Sequence, residues 1–132
     1  MKKLILIITL LFLHVTLNAF EDLKSLSQLR ENTLVFLVFE KNGCPWCTKY
    51  QNELGSKITK KYKKDIKFFK VEKGSEIFSE LRKEFGLKII IYPMTYILKL
   101  NDKNEHDIVD EIYGYQTEEY VEELLLKTFL IK

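Results

Sequence analysis

Cysteine, proline and glycine are all scarce: the 132 residues hold two, two and five of them. Two cysteines cannot build a multi-disulfide scaffold, and they are too few for a self-contained four-cysteine metal site. With so few prolines and glycines to interrupt it, most of the chain should be regular structure. Charge of one sign is lacking as well. Lys+Arg number 21 against 19 Asp+Glu, a net +2, which is too even for a nucleic-acid binder. No glycine-rich phosphate loop and no nucleotide fingerprint is present, so no cofactor is expected. What remains is 46% hydrophobic and 30% charged, the composition of an ordinary globular protein of one domain.

The first residues read as a signal rather than as part of the fold. Lys2 and Lys3 precede a run from Leu4 to Leu13 that is apolar except for Thr9. The run weakens at His14 and Thr16 and reaches Leu17-Asn18-Ala19. A basic start, a short apolar stretch and a small residue at the cut are the pattern of a secretory signal peptide. The run is well below the roughly 20 residues that span a bilayer. The expectation is residues 1–19 as signal peptide, cleaved after Ala19, and residues 20–132 as the domain. The mature chain is then exported, most simply to a periplasm, with no membrane span. Losing Lys2 and Lys3 brings the basic count down to the 19 acids, leaving no net charge.

Along the mature chain, Glu21-Asp22 followed by Leu23, Leu26 and Leu29 reads as a short amphipathic helix with acids at its positive end. Residues 33–39 (TLVFLVF) are β-branched and aromatic without alternation, which predicts a strand buried on both faces. A turn at Lys41-Asn42-Gly43 leads into a helix starting near Cys44, with Pro45 in a first-turn position. That helix should end or bend near Gly55. A second helical stretch, 56–63, turns Ile58 and Tyr62 inward, and residues 66–71 form a strand. Residues 75–85 read as a helix burying Ile77, Phe78, Leu81 and Phe85, stopped by Gly86. Residues 94–100 and 108–113 read as a hairpin, with His106 as a surface residue of its turn. Thr117 caps a last helix whose buried face is Val121, Leu124, Leu125 and Phe129. The expected architecture is α/β: a four-stranded mixed sheet, first two strands parallel and last two antiparallel, flanked by helices.

Cys44-Pro45-Trp46-Cys47 is the informative motif. Cysteines at i and i+3 on a first helical turn point the same way, within disulfide reach. The unpaired N–H groups and positive dipole end of a helix favour a thiolate at Cys44. A thiolate can attack a foreign disulfide, and a second thiol three residues on can resolve the mixed disulfide. Haem attachment is excluded, because Thr48 rather than histidine follows the second cysteine. Zinc would need more ligands than two cysteines and His106 provide, so no metal site is assigned. A purely structural disulfide, in a non-enzymatic binding module, and two-thiolate handling of a soft metal such as Cu(I) stay open beside redox exchange.

On the strand TLVFLVF, the helix-starting CPWC, Tyr92-Pro93 before MTYILKL, and Tyr113-Gly114-Tyr115 before the closing helix, the chain resembles the thioredoxin-like superfamily over residues 33–131. With the export signal, it resembles the exported, Dsb-type thiol–disulfide oxidoreductases. The resemblance implies Cys44 as the attacking thiol, Cys47 as the resolving thiol, and a redox-active Cys44–Cys47 disulfide. It implies a cis bond before Pro93, which lies against the pair, and assigns Pro45, Trp46, Tyr92 and Pro93 to motif and substrate binding. The implied partners are exported proteins with cysteines and a redox partner protein; the chain is expected to be monomeric. Three departures stand out. Gly43 replaces the tryptophan that precedes the first cysteine in cytoplasmic thioredoxins, and Pro45-Trp46 replaces their Gly-Pro. Val38 stands where they bury an aspartate, Glu40 is expected too late on the strand to replace it, and Lys70 has lost that aspartate as a partner. Trp46 stands where the Dsb oxidases carry histidine. Two further features are a basic run from Lys57 to Lys67, read as a solvated face, and the apolar stretch Ile89-Ile90-Ile91, read as core or as a substrate platform.

Overall fold

The computed structural model describes residues 20–130, apart from the side chains of Ser56, Phe129 and Leu130. The expected signal segment, its cut after Ala19, and the expected burial of Phe129 therefore lie outside what is described. In chain order the elements are β1 (Glu21–Asp22), α1 (Leu26–Arg30), β2 (Leu34–Glu40), α2 (Pro45–Ser56), α3 (Ile58–Tyr62), β3 (Lys67–Glu72), α4 (Glu76–Phe85), β4 (Met94–Leu100), β5 (His106–Tyr113) and α5 (Glu118–Leu125). A π-helical segment, Leu126–Leu130, continues α5. Among the described residues, no helix is long and apolar enough to cross a membrane.

The sheet has five strands in the order β1-β3-β2-β4-β5, not the expected four. The added strand is Glu21–Asp22, expected as the acidic start of a helix. It pairs in parallel with β3 at the sheet edge, Glu21 opposite Phe69 and Asp22 opposite Lys70. Two exposed acids carry no strand pattern of their own. What holds them is across the sheet: Lys67 pairs with Glu21, and Lys70 Nζ lies 3.8 Å from Asp22. The helix starts later, at Leu26, where Gln28 Oε1 accepts from the Ser25 backbone N–H at 3.2 Å. As expected, β2 and β3 are parallel and β4 and β5 antiparallel; β4 also pairs antiparallel with β2, which joins the two halves of the sheet.

β2 lacks alternation because both its faces are covered. Phe36 and Val38 pack with Tyr50, Leu54, Ile58 and Val121 beneath α2, α3 and α5. Val35, Leu37 and Phe39 pack with Leu29, Ile77, Phe78 and Leu81 beneath α1 and α4. All five strand residues are fully buried, each contributing about 1.5–3 kcal/mol of apolar burial. Phe20 completes the first cluster, its ring 6.2 Å from those of both Phe36 and Phe68.

Thr117 caps and Gly86 stops as expected, and Ser75, expected as the first residue of its helix, is instead the cap. Ser75 and Thr117 accept from the backbone N–H groups of Phe78 and Tyr120, and Gly86 ends α4 at φ 65°. His106 departs from its expected turn position. It opens β5, and its Nε2 lies 2.7 Å from the Asn32 carbonyl oxygen. The basic run is partly spoken for inside the fold, since Lys57 and Lys61 pair with Glu118 and Glu122 on α5.

Candidate active site

Cys44 and Cys47 form a disulfide at the start of α2, with Cα atoms 5.3 Å apart. Cys44 is the N-cap residue, with extended backbone, and Pro45 takes the first helical position. The Cys44 sulfur accepts the backbone N–H of Cys47 at 3.2 Å, satisfying one of the donors that a helix start leaves open. Both cysteines are buried, Cys44 7% exposed and Cys47 3%. The cover over Cys44 comes from a loop distant in sequence. The Tyr92 carbonyl oxygen lies 3.8 Å from Cys44 Sγ, the Tyr92–Pro93 bond is cis, and Pro93 is buried. The structure thus brings Cys44, Cys47 and the Tyr92-Pro93 pair to one place.

On the opposite flank, Trp46 is 56% exposed, its ring 5.3 Å from that of Tyr115. Lys49 Nζ lies over both rings, 5.3 Å and 4.9 Å from their centroids. The Ile89–Ile91 stretch is part core and part surface. Ile89 packs against the core, whereas Ile90 is 76% exposed. Ile91 closes on the loop before α5: Gly114 has φ +74°, and a Cβ there would meet the Ile91 side chain at 3.2 Å.

A cleft of about 540 Å³ opens beside the disulfide, lined by Cys44, Cys47, Glu40, Gln51, Lys70 and Glu72 among others. Glu40 therefore reaches the site, contrary to its expected position too late on β2. Its parity explains this: Phe36 and Val38 face α2, and Glu40 continues their row. Burial pushes its carboxyl above the ordinary glutamate value, and the hydrogen bond from Gln51 Nε2, at 3.3 Å, partly opposes that. Val38 is fully buried between Lys70 and Thr95 in the sheet register. Lys70, without the aspartate expected from the family pattern, faces Asp22 of β1 instead. Across the same layer, the Tyr50 hydroxyl and Thr95 Oγ1 are both buried, and the Thr95 hydroxyl is the side-chain group that acts on the phenol. Burial holds the Tyr50 phenol far above its ordinary value. Among the described residues, no group of three or more His, Cys, Asp and Glu side chains is placed to hold a metal ion.

This sheet and helix arrangement, with a helix-capping Cys-X-X-Cys disulfide facing a cis-proline loop, defines a thioredoxin-like fold. Solved structures carry the same conclusion. An uncharacterized thioredoxin-like protein from Clostridium perfringens superposes with a TM-score of 0.64 at 17% identity, over 91% of this chain and 90% of that one. A thioredoxin from Trichomonas vaginalis gives 0.62 at 19% identity, over 85% and 98%. Thioredoxin h from Nicotiana alata gives 0.60 at 19% identity, over 84% and 93%. At such identities the likeness is one of fold. No protein-family model and no curated protein matches the sequence.

Proposed function

We propose that the chain is an exported thiol–disulfide oxidoreductase that reduces or reshuffles disulfides of protein substrates. The observation that carries this reading is the Cys44–Cys47 disulfide at the helix start, with the Cys44 sulfur held as the cap. In the reduced protein the N–H of Cys47 and the positive end of α2 favour a Cys44 thiolate. That thiolate attacks one sulfur of a substrate disulfide. The substrate S–S bond breaks, its other sulfur leaves with the electron pair and takes up a proton, and Cys44 is joined to the substrate. Cys47 then gives up its proton and attacks Cys44 Sγ. The Cys44–Cys47 bond forms, and the second substrate sulfur leaves as a thiol. The substrate gains two electrons and two protons, and the protein loses the same number. A redox partner protein returns them. Export is supported by the pattern of residues 1–19, which leads to compartments where protein disulfides persist.

The test is exchange with a peptide disulfide under a dithiol reductant. Turnover should vanish in Cys44→Ser, and Cys47→Ser should accumulate a substrate adduct at Cys44. Absence of exchange, or its survival in Cys44→Ser, overturns the reading. For export, the full chain should be recovered outside the cytoplasm with Phe20 as its first residue.

A further inference from the structure

β2 and β3 run parallel and end in step, with Glu40 opposite Glu72 in the register. The Lys73 backbone N–H donates to the Glu40 carbonyl at 2.8 Å, so the two strand ends stay tied beyond the last pair. Side chains alternate along a strand. Glu40 and Glu72 turn into the cleft on the α2 side of the sheet. Of the next residues, Lys41 also lines the cleft, and Lys41 and Lys73 both end on the ring of Tyr92. Their Nζ atoms lie 5.7 Å and 5.8 Å from its centroid. The Arg82 charge also acts on the Tyr92 phenol, from α4.

Two ammonium groups on adjacent strand ends repel each other, and a ring face offsets that by only about 0.5–1 kcal/mol apiece at exposed sites. Among the described residues, neither lysine has a carboxylate within ion-pair distance, although Lys49, Lys57, Lys61, Lys67 and Lys70 all have one. The ring that gathers them belongs to the residue whose carbonyl lies 3.8 Å from Cys44 Sγ. A substrate lying across Cys44 toward the Tyr92-Pro93 loop would run toward the residue whose ring gathers this paired charge.

We propose that Lys41 and Lys73, seated on Tyr92, form a carboxylate-binding clamp that selects protein substrates with acidic residues close to the reactive cysteine. The proposal rests on the oxidoreductase reading and names its substrate class. Charge complementarity beside the reacting sulfur sets encounter rate and register rather than the chemistry of exchange.

The experiment compares three cyclic peptide disulfides of one sequence, flanked by Asp, Asn or Lys. Each is mixed with the reduced protein at low and at raised salt, and the exchange rate is read from the appearance of the reduced peptide after acid quenching. The Asp peptide should react about tenfold faster than the Lys peptide at low salt, the lower end of electrostatic steering effects, and the gap should close as salt is raised. Lys41→Glu with Lys73→Glu should invert the order. Lys103→Glu, on the distant β4–β5 turn, should leave it as it is. Exchange that proceeds but ignores the flanks, or an order unmoved by the double reversal, overturns the clamp and leaves the oxidoreductase reading standing. No exchange with any of the three, the Asn peptide included, overturns both.

Discussion

The sulfur of Cys44 accepts the backbone N–H of Cys47 at 3.2 Å, so Cys44 caps the start of α2 through the amide of the second cysteine. This bond, rather than exposure, separates the two cysteines, since both are buried. A hydrogen bond to a charged acceptor contributes about 1.5–3 kcal/mol, and it serves only the thiolate at Cys44. Brief alkylation of the reduced protein should therefore label Cys44 before Cys47. Mass spectrometry showing Cys47 labelled first would reverse the assignment.

The reduction potential should fall between about −270 and −180 mV, in the range of thioredoxin and protein disulfide isomerase. The strong oxidant DsbA lies roughly 150 mV above thioredoxin, equivalent to about 7 kcal/mol at 1.4 kcal/mol per 30 mV. The N–H bond to Cys44 and the helix dipole, about 0.3–1 kcal/mol, fall short of that together. Lys41 and Lys49, the nearest lysines in sequence, lie over the rings of Tyr92 and Trp46. Equilibration in glutathione buffers measures the value, and a result near −120 mV would refute the argument.

Two glutamates should shape stability on opposite sides of their ordinary value of 4.5. Hydrogen bonds from Lys61 and Tyr62 hold Glu122 below that value. Its contribution is therefore present above pH 4.5 and lost as pH falls through its lowered folded value. Burial holds Glu40 above 4.5. The folded state then keeps the proton longer than the unfolded one, so stability falls as pH rises from 4.5 through the raised value. Glu40→Gln should remove the fall on the upper side, and Glu122→Gln the loss on the acid side, in urea unfolding followed against pH. An unchanged slope above 4.5 in Glu40→Gln would contradict the assignment.

Phe20→Ala should destabilise residues 20–132 by about 3–5 kcal/mol, the usual cost of deleting a core phenylalanine. Phe20 is fully buried against Phe36 and Phe68. Chemical denaturation reads the loss, and a cost below 1 kcal/mol would show that the N-terminal segment is not part of the core.

Much of the fold was legible because local rules agree with it. The unbroken run Leu34–Phe39 announced a strand covered on both faces, and Gly86 and Thr117 marked helix ends through their own chemistry. The CPWC spacing placed two sulfurs on one turn. These are properties of short segments, set by side-chain period, capping and reach. The edge strand Glu21–Asp22 was not legible, because its hydrogen bonds and ion pairs are supplied by β3. The burial of Cys44 was not legible either, since its cover comes from Tyr92 and Pro93 far along the chain. Glu40 entered the cleft, and Lys41 came to stand beside Lys73, only when β2 and β3 paired in register. A strand's period fixes which face a residue takes, but pairing between distant segments decides what that face meets.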